Sequence, residues 1–365
     1  MIAQRPGPLG PDATIGILGG GQLGRMLALA AARLGFKSHV FCPDSHSPAF
    51  DVVRSVTEAD YLDFAALDRF AADVDVVTYE FENVPAETAT FLSARKPVLP
   101  DPKVLAITQD RLIEKEFVKS FDVQTAKFAR VDSGEGLMAA LAAVGKPAVL
   151  KTRRFGYDGK GQIMIRDGGD PAMFDELGGQ AQILEAFVPF EREISVVAAR
   201  GRGGAIECFD VIENEHEDHI LKTSRVPANV TPAVAAEARR IAETIAEAFD
   251  YVGVMAVEMF VVKDGASHAV LVNEIAPRVH NSGHWSIDGA SVSQFEQHIR
   301  AVAGLPLALP IRLGRIEMIN LLGAEVEDAP KWLATPGAAV HLYGKAAVRP
   351  GRKMGHVTQV FAEKG

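Results

Sequence analysis

Cysteine is scarce in this 365-residue chain, and long hydrophobic runs are missing from it. Cys42 and Cys208 are the only cysteines and form no C-x-x-C pair, which argues against a disulfide framework and a structural zinc site. No apolar run approaches the roughly 18 residues of a membrane span, and no charged-then-apolar signal opens the chain. We therefore expect a protein of the reducing cytoplasm without a membrane partner.

The remaining composition is that of an ordinary globular protein, with 48% apolar and 23% charged residues. The length predicts two or three domains, each with its own core. The net charge of −9 disfavours non-specific binding of nucleic acid, so an anionic substrate has to be attracted by a local basic cluster. Residues 1–12 are rich in Pro and Gly and predict a flexible tail.

A glycine-rich turn follows the first predicted strand, at residues 14–18. The segment G-G-G-Q-L-G at 19–24 matches G-x-G-x-x-G and leads into a predicted helix at 26–34. A second strand at 38–41 then brings Asp44 to the spacing of a ribose-binding acid. The pattern is either a dinucleotide-binding loop or a plain strand-to-helix turn.

Polar residues also follow a third predicted strand, at 74–78. Glu80, Glu82 and Asn83 come directly after it, at the carboxyl edge of a parallel sheet, where open α/β sheets bind ligands. The alternative is a loop that caps the next helix. A long helix is then predicted over 102–120, with Arg111 and Lys115 on it.

A basic glycine-rich hairpin is predicted between strands at 148–151 and 163–165. Its loop, T-R-R-F-G-Y-D-G-K-G-Q at 152–162, exposes amides at the glycines and carries three cations suited to phosphate, Arg153, Arg154 and Lys160. It lacks G-K-[ST], so it is not a Walker P-loop. The alternative is a solvated hairpin turn. Lys151 favours a site, because it ends an apolar strand, where a lysine seldom lies without a partner.

Two carboxylates lie on a further pair of predicted strands, Glu258 within 254–262 and Glu274 at the end of 269–274. They suit Mg²⁺, or Mn²⁺ in its place, because such cations bind carboxylate oxygens and bridge to nucleotide phosphates. The alternative is a pair of edge carboxylates that face water. The apolar flanks argue against that alternative, since an unpaired charge in a buried strand is costly.

Strand parity decides whether Glu258 and Glu274 can share a cation. A two-residue turn at 264–265 places them on opposite faces of the hairpin, whereas a five-residue loop at 264–268 sets them directly across from each other. We therefore predict a loop of odd length or a β-bulge.

Further polar residues flank these strands. Arg278, His280 and Asn281 supply donors for a transferring phosphoryl group or a small oxyanion. Glu185 and Glu193 are candidates for contacts with adenine and ribose, with exposed carboxylates as the alternative. The pair His216 and His219 is too sparse for a zinc site. A packing helix begins after Thr231, with Pro232 at its first position.

Taken in order, K-T-R-R-F-G-Y-D-G-K-G-Q, V-E-M-F and V-N-E-I-A-P-R-V-H-N-S-G-H-W resemble the motifs of ATP-grasp enzymes. Over residues 13–360 the chain more narrowly resembles the 5-(carboxyamino)imidazole ribonucleotide synthase family. That resemblance runs from G-G-G-Q-L-G-R-M through T-Y-E-F-E-N-V-P and I-T-Q-D-R to V-R-P-G-R-K-M-G-H. Its most specific part is N-S-G-H-W together with R-P-G-R-K-x-G-H.

The resemblance implies a mixed α/β and α+β architecture with the ATP-grasp fold. It places a Rossmann-like preATP-grasp domain at 13–108, an ATP-grasp region at 109–310 with a lid at about 124–184, and a small β-rich subdomain at 311–365. The implied activity is that of a ligase in purine biosynthesis, which converts ATP, bicarbonate and 5-aminoimidazole ribonucleotide to ADP, phosphate and the carbamate. The implied assembly is a cytoplasmic homodimer.

The resemblance also assigns roles to individual residues. The ATP site falls on Arg111, Lys151, Gly156, Tyr157, Asp158, Gly159, Lys160, Gly161, Gln162, Glu185, Val188, Glu193, His216, Asn273 and Glu274. Magnesium falls on Glu258 and Glu274. Catalysis falls on Arg278, His280, Asn281, Tyr157, Asp158 and Lys345. The ribonucleotide falls on Gln22, Glu80, Asn83, Tyr157, Asp158, Lys345 and Arg352, with its phosphate on the amides of the G-x-G-x-x-G turn.

Two rival functions remain open. Another ATP-grasp carboxylate–amine ligase would keep the ATP and magnesium residues and change those that face the substrate, Glu80, Lys345 and Arg352. A dinucleotide-binding regulatory or redox protein would rest on residues 19–24 and Asp44. That second rival leaves the two strand carboxylates and the 156–162 loop without a role.

Overall fold

A parallel sheet opens the computed structural model, which describes residues 7–156, 159–265 and 267–362. Its elements are β1 (Thr14–Leu18), α1 (Gln22–Arg33), β2 (Lys37–Cys42), β3 (Ser55–Glu58), α2 (Phe64–Ala72), β4 (Val76–Tyr79), α3 (Ala86–Ser93) and α4 (Pro102–Thr108). The strand order is β3-β2-β1-β4. Because β1 and β4 are parallel neighbours, the turn after β1 and the loop after β4 meet at one edge of the sheet.

The long helix expected over 102–120 is interrupted. Helix α4 ends at Thr108, and α5 (Arg111–Lys119) begins anew after two intervening residues. Asp110 causes the break, since its carboxylate accepts hydrogen bonds from the amides of Leu112 and Ile113 and so caps α5. Arg111 is therefore the first residue of α5 and not an interior residue of one long helix.

An antiparallel sheet follows. Its elements are β5 (Phe128–Val131), α6 (Gly134–Val144), β6 (Ala148–Thr152), β7 (Gln162–Ile165), α7 (Met173–Glu176) and β8 (Gln182–Ala186), in the strand order β5-β8-β6-β7. The predicted hairpin is confirmed, because β6 and β7 pair up to Lys151 and Gln162. The glycine-rich segment leaves the sheet at that point.

The largest sheet carries the rest of the chain. Its elements are β9 (Arg192–Arg200), β10 (Ile206–Cys208), β11 (Ile212–Glu217), β12 (Ile220–Val226), α8 (Pro232–Ala248), β13 (Gly253–Asp264), β14 (Ser267–Ala276), α9 (Ser286–Gly289), α10 (Gln294–Ala303), β15 (Arg315–Leu322), α11 (Ala329–Leu333), β16 (Ala338–Leu342) and β17 (Lys353–Phe361). The strand order is β14-β13-β9-β11-β12-β15-β17-β16, with β10 added beside β9. The C-terminal strands therefore extend the central sheet.

Helix α8 begins as predicted, with Thr231 as its cap and Pro232 at its first position. Its apolar face, which includes Ile241 and Ile245, is buried with Val257 and Met259 of β13. This packing holds one face of β13 in the core and leaves alternate residues, Glu258 among them, for the opposite face. No helix in the described part of the chain is long and apolar enough to cross a bilayer.

The described part of the predicted tail is anchored. The Leu9 amide donates to the Ala303 carbonyl at 2.8 Å, and Arg202 donates to the Gly7 carbonyl at 3.1 Å. Leu9 also packs against the core. Residues 1–6 lie outside the described residues.

Candidate active site

A cavity of about 1940 Å³ is lined by residues of the two antiparallel sheets and by the segments that follow β1 and β4 of the parallel sheet. Most of the predicted site residues line it, namely Gln22, Glu80, Asn83, Arg111, Lys151, Gly156, Gly159, Lys160, Gln162, Glu185, Val188, Glu193, His216, Glu258, Asn273, Glu274, Arg278, His280 and Asn281. Gly161, Lys345 and Arg352 do not line it. Tyr157 and Asp158 lie outside the described residues. Residues far apart in the sequence thus meet at one site.

Glu258 and Glu274 lie directly across from each other on β13 and β14. The predicted five-residue loop is wrong, because the strands pair as far as Asp264 and Ser267. Only two positions remain for the turn between them. The predicted alternative, a bulge, is present: Met259 pairs with Val272, and Glu258 then pairs with Glu274, so that Asn273 is the extra residue. One inserted residue therefore brings both carboxylates to the same face.

The two carboxylates fit a hard divalent cation. Glu258 uses one oxygen, Oε1, in an ion pair with His280, and Glu274 uses one oxygen, Oε2, in an ion pair with Arg111. Among the described residues, the second oxygen of each has no hydrogen bond. No group of three or more His, Cys, Asp or Glu side chains able to hold a metal occurs in that part of the chain. Two oxygen ligands with room for water and phosphate suit Mg²⁺.

Arg111 links this pair to the glycine-rich loop. Its Nη1 donates to Glu274 at 2.8 Å, and its Nη2 donates to the Gly156 carbonyl at 2.9 Å. Loop residue Gly159 has a φ of 75°, and a Cβ there would lie 2.6 Å from the Cβ of His219 in the turn between β11 and β12. The loop is thus held over the cavity from both sides, and only glycine fits at position 159.

A third carboxylate, Glu114 of α5, lies behind Glu274. It is buried and accepts the Ile275 amide at 3.2 Å. Burial and then the charge of Glu274 raise the pKa of Glu114 to about 8. This carboxyl therefore holds its proton at neutral pH, which limits the negative charge beside the cation ligands.

Glu114→Gln is expected to flatten the dependence of stability on pH. The pKa of Glu114 is raised from 4.5 to about 8 on folding, so its contribution to stability is complete below 4.5 and is lost as the pH rises through 8. Glutamine still accepts the Ile275 amide but cannot ionise. Urea unfolding at about pH 5 and about pH 8.5 should show the variant gaining stability over the wild type at the higher pH. Parallel pH profiles would contradict this role.

Arg278 is held by the loop after β4. Its Nε donates to Glu82, its Nη1 donates to the Val279 carbonyl at 3.1 Å, and Nη2 has no hydrogen bond among the described residues. Gln109 fixes that loop by donating to the carbonyls of Glu82 and Val84. Burial would raise the pKa of Glu82, but the Arg278 charge outweighs burial and lowers it. One donor of a fixed guanidinium therefore remains for an anionic ligand in the cavity.

The amides of the glycine-rich turn after β1 were predicted to bind the ribonucleotide phosphate. In the structure, two of them instead bind a carboxylate of the chain itself. The amides of Gly21 and Gly24 donate to the two carboxylate oxygens of Glu80, at 2.8 and 3.1 Å. Glu80 thus occupies the anion position at the N-terminus of α1. A Cβ at Gly21 would lie 2.8 Å from Glu80 Oε1, so glycine is required for the side chain's approach, not a ligand's. Burial raises the pKa of Glu80 despite both amides.

Lys151 has the partner that its apolar strand predicted. Its ammonium contacts Glu185 Oε2 at 3.0 Å, and Lys115 of α5 contacts the same oxygen at 3.4 Å. Burial would raise the pKa of Glu185, but the two lysines outweigh it and bring the pKa down to about 2. The other oxygen, Oε1, is buried without a hydrogen-bond partner among the described residues. Glu185 Oε1 can therefore accept a hydrogen bond from a ligand.

Glu193 and His216 form a second pair farther along the cavity. They lie on neighbouring strands β9 and β11, and Nδ1 of His216 contacts Glu193 Oε2. Burial would lower the pKa of His216, but Glu193 outweighs it and raises the pKa. The pair presents a carboxylate to the cavity in a fixed orientation.

The two predicted basic residues of the C-terminal segment lie apart from the main cavity. Arg352 donates to the Ala347 carbonyl at 2.8 Å, and the Lys345 ammonium lies 5.7 Å from the centre of the Tyr343 ring. The neighbours of Lys345, Gly344 and Ala346, line a smaller cavity of about 460 Å³ together with Ser45 and Ser47 of the first sheet's loops. Lys353, which sequence reasoning missed, lines the main cavity.

Glu82, Glu114, Lys353 and Ser282 are functional candidates that sequence reasoning left without a role. Glu82 carried a signal, because it stands beside Glu80 at the end of a parallel strand. Glu114 carried none, because its importance depends on burial against Ile275, 161 positions away. Ser282 stands in N-S-G-H-W, but its contact with Ser195 on another strand could not be predicted.

Comparison with known proteins identifies known families along most of the chain. Three family models match: the ribonucleotide synthetase preATP-grasp domain at 12–109, the ATP-grasp domain at 116–295, and the phosphoribosylaminoimidazole carboxylase C-terminal domain at 317–364. The predicted ATP-grasp fold with these flanking parts is confirmed.

Individual relatives are similar over nearly their full length. The N5-carboxyaminoimidazole ribonucleotide synthase of Brucella melitensis is 49% identical over 355 residues, which are 96% of this chain and 97% of the relative. The Staphylococcus aureus N5-carboxyaminoimidazole synthetase complexed with ADP has a TM-score of 0.93 at 35% identity, over 99% of this chain and 96% of that one. The Aspergillus clavatus synthase in complex with ADP and 5-aminoimidazole ribonucleotide has a TM-score of 0.86 at 29% identity, over 96% and 94%. The chain therefore belongs to the N5-carboxyaminoimidazole ribonucleotide synthase family of ATP-grasp enzymes.

Proposed function

We propose that this chain uses ATP and bicarbonate to carboxylate the amine of 5-aminoimidazole ribonucleotide, giving ADP, phosphate and the carbamate. The observation that carries the proposal is the meeting, in one cavity, of the carboxylate pair Glu258 and Glu274 with the anchored guanidinium of Arg278. A cation site beside a fixed anion donor is what phosphoryl transfer to a small oxyanion requires.

ATP would lie between the antiparallel sheet and the large sheet. The buried Oε1 of Glu185 suits the amino group of adenine, and the pair of Glu193 and His216 suits the ribose hydroxyls. Lys151 and the loop residues Gly156 and Gly159 line the cavity and would contact the phosphates. The loop cations contribute less than their number suggests, because Arg153 is committed to Asp110 through two hydrogen bonds.

Glu258 and Glu274 would hold Mg²⁺, which neutralises charge on the phosphates when it is bound. Arg111 fixes the orientation of Glu274, and His280 fixes that of Glu258. The protonated carboxyl of Glu114, which lies behind Glu274, adds no negative charge to this pair of ligands.

The chemistry then proceeds in two transfers. An oxygen of bicarbonate attacks the γ-phosphorus, the bond to the ADP oxygen breaks, and carboxyphosphate forms with Nη2 of Arg278 as a donor to the developing charge. Carboxyphosphate loses phosphate to give CO₂, whose carbon is attacked by the ribonucleotide amine, and the amine loses a proton to give the carbamate. Exclusion of water from the site would protect both reactive species.

The ribonucleotide would enter at the edge of the first sheet. Gln22, Glu80 and Asn83 line that end of the cavity. Since Glu80 already accepts from the helix amides, the phosphate needs another cationic partner. Lys345, whose neighbours Gly344 and Ala346 line the smaller cavity, and Arg352 are the candidates. Membership of the family also supports a cytoplasmic location and a homodimer. Sedimentation equilibrium would test the homodimer.

Arg352→Ala is expected to raise the Michaelis constant for 5-aminoimidazole ribonucleotide about tenfold or more and to leave that for ATP little changed. A charge-assisted contact with phosphate contributes about 1.5–3 kcal/mol, and about 1.4 kcal/mol corresponds to one decade. Steady-state kinetics with each substrate varied in turn would measure both constants. An equal loss for both substrates, or a loss for neither, would exclude Arg352 as a ribonucleotide ligand.

The proposed reaction is tested by ADP release in the presence of 5-aminoimidazole ribonucleotide, with and without bicarbonate. Release that requires both substrates supports it. Release that requires a different amine or carboxylate would favour another ATP-grasp ligase. A dinucleotide-binding protein is disfavoured because Glu80 fills the anion position that a pyrophosphate would need.

A further inference from the structure

A buried chain of hydrogen bonds runs from the cation site into the large sheet. Ser224 donates to Asn214 Oδ1 at 2.9 Å, Asn214 Nδ2 donates to Ser195 at 2.9 Å, and Ser195 contacts Ser282 at 2.8 Å. Ser282 in turn contacts Nδ1 of His280 at 2.9 Å, and Nε2 of His280 contacts Glu258 Oε1 at 2.9 Å. The three serines are fully buried, and Asn214 is 7% exposed.

The chain follows from strand register. Asn214 on β11 pairs directly with Ser224 on β12, and Ser195 on β9 pairs directly with Glu258 on β13. Small polar side chains on one face of four neighbouring strands would be costly in a core unless each found a partner. The proposed cation ligand Glu258 is therefore the last member of a connected polar network.

The donors in this network fix the tautomer of His280. The carboxylate of Glu258 can only accept, so Nε2 must carry a hydrogen. The amide of Ser282 donates to Nδ1 at 3.3 Å, so Nδ1 must accept. The hydroxyl of Ser282 is then also a donor to Nδ1, and that of Ser195 a donor to Ser282, which leaves each hydroxyl with one acceptor for its single proton.

The backbone of His280 is fixed as firmly as its ring. Buried Gln294 accepts from the His280 amide at 2.9 Å and donates to the His280 carbonyl at 2.6 Å. Ring and main chain are thus both held, and neither ring nitrogen has a lone pair directed at the cavity. This arrangement is suited to orienting a neighbour and unsuited to abstracting a proton.

We propose that His280 acts as an Nε2–H donor that orients Glu258 toward the cation, and that Ser282, Ser195, Asn214 and Ser224 are positioning residues that hold its ring in this orientation. The inference rests on the proposed function in one respect, that Glu258 holds the cation. Outer groups of this kind commonly change metal affinity or activity about 10- to 100-fold when they are removed.

The tautomer itself can be observed without substrates. Long-range ¹H–¹⁵N correlation spectra of the full chain labelled in histidine, with His280→Gln to assign the signal, should show the Nε2–H tautomer of His280 at about pH 8. A ring protonated on Nδ1 would overturn the proposal. Failure here would leave the proposed reaction untouched, because the spectrum requires neither ATP nor ribonucleotide.

The positioning role is tested with Ser282→Ala and a matched control, Ser38→Ala. Ser38 is also buried, and its hydroxyl has no hydrogen-bond partner among the described residues. The first variant should weaken binding of Mn²⁺ with ATP, measured by electron paramagnetic resonance without turnover, about tenfold, and shift the His280 Nδ1 resonance, because Nδ1 loses its hydroxyl donor. The control should match the wild type in both measurements. Ser282→Ala with wild-type Mn²⁺ binding and an unchanged His280 signal would overturn the proposal.

Discussion

Glu274→Gln is expected to abolish turnover while the protein stays folded. The amide has the same size but cannot supply the charge that offsets a divalent cation, and it no longer forms an ion pair with Arg111, which also holds the loop at Gly156. Loss of a preorganised electrostatic partner of the transition state commonly costs about 10²–10³-fold in kcat, and loss of a cation ligand adds to that. Single-turnover ADP formation at saturating ATP, over a range of Mg²⁺ concentrations, would measure the effect.

Glu237→Gln is the matched control for this experiment. Glu237 also forms an ion pair with an arginine, Arg240, at 2.8 Å, but it lies on the exposed face of α8 and does not line the cavity. It should retain the wild-type rate. A Glu274→Gln enzyme that turns over normally at low Mg²⁺ would show that the carboxylate pair does not share a cation.

Arg278→Met is expected to remove activity and stability together, and a second substitution should separate the two losses. The single variant leaves the Glu82 carboxylate, only a third exposed, without its cation, which should lower the free energy of unfolding by about 1–3 kcal/mol. It also removes the free Nη2 donor, for about a 10²–10³-fold loss in kcat. The double variant Arg278→Met with Glu82→Gln should recover stability but not activity.

Urea unfolding and ADP release on the same preparations would measure both effects. Arg200→Met is a suitable control, because Arg200 is similarly buried and pairs with Asp250 at 2.8 Å away from the cavity. It should lose stability and keep kcat. A double variant that regains activity would mean that Arg278 serves only to neutralise Glu82.

Much of the site could be predicted because its residues stand at the ends of strands. The turn at 19–24, the acids after β4 and the lysine that ends β6 each follow an apolar run, and each lines the cavity apart from individual glycines. The partners could not be predicted. Arg278 and Glu82 are 196 residues apart in the sequence, and no local pattern couples them.

Two details could be predicted only in part: strand parity required a bulge or an odd loop without deciding between them, and the glycine-rich turn indicated an anion without indicating its source. The bulge at Asn273 lies between Val272 and Glu274, where strict alternation and a one-residue insertion both leave a plausible strand. Likewise, G-x-G-x-x-G indicates that an anion approaches the turn but not whether the anion is a ligand or the chain's own Glu80. In both cases the sequence defines a local geometry that several tertiary arrangements can use.

The bulge at Asn273 makes the tip of the β13–β14 hairpin a tolerant place for engineering. Between the bulge and the tip, the strands pair in one register, from Met259 with Val272 to Asp264 with Ser267. The bulge shifts this register by one residue before the pair of Glu258 and Glu274. Gly265 at the tip is exposed, has a φ of 59°, and would place an added Cβ more than 4 Å from any described neighbour. A tag or a small domain inserted after it would leave Glu258 and Glu274 paired. Deletion of Asn273 alone would remove the bulge and leave Glu274 directly across from Glu258, because Glu274 would then follow Val272 in regular register.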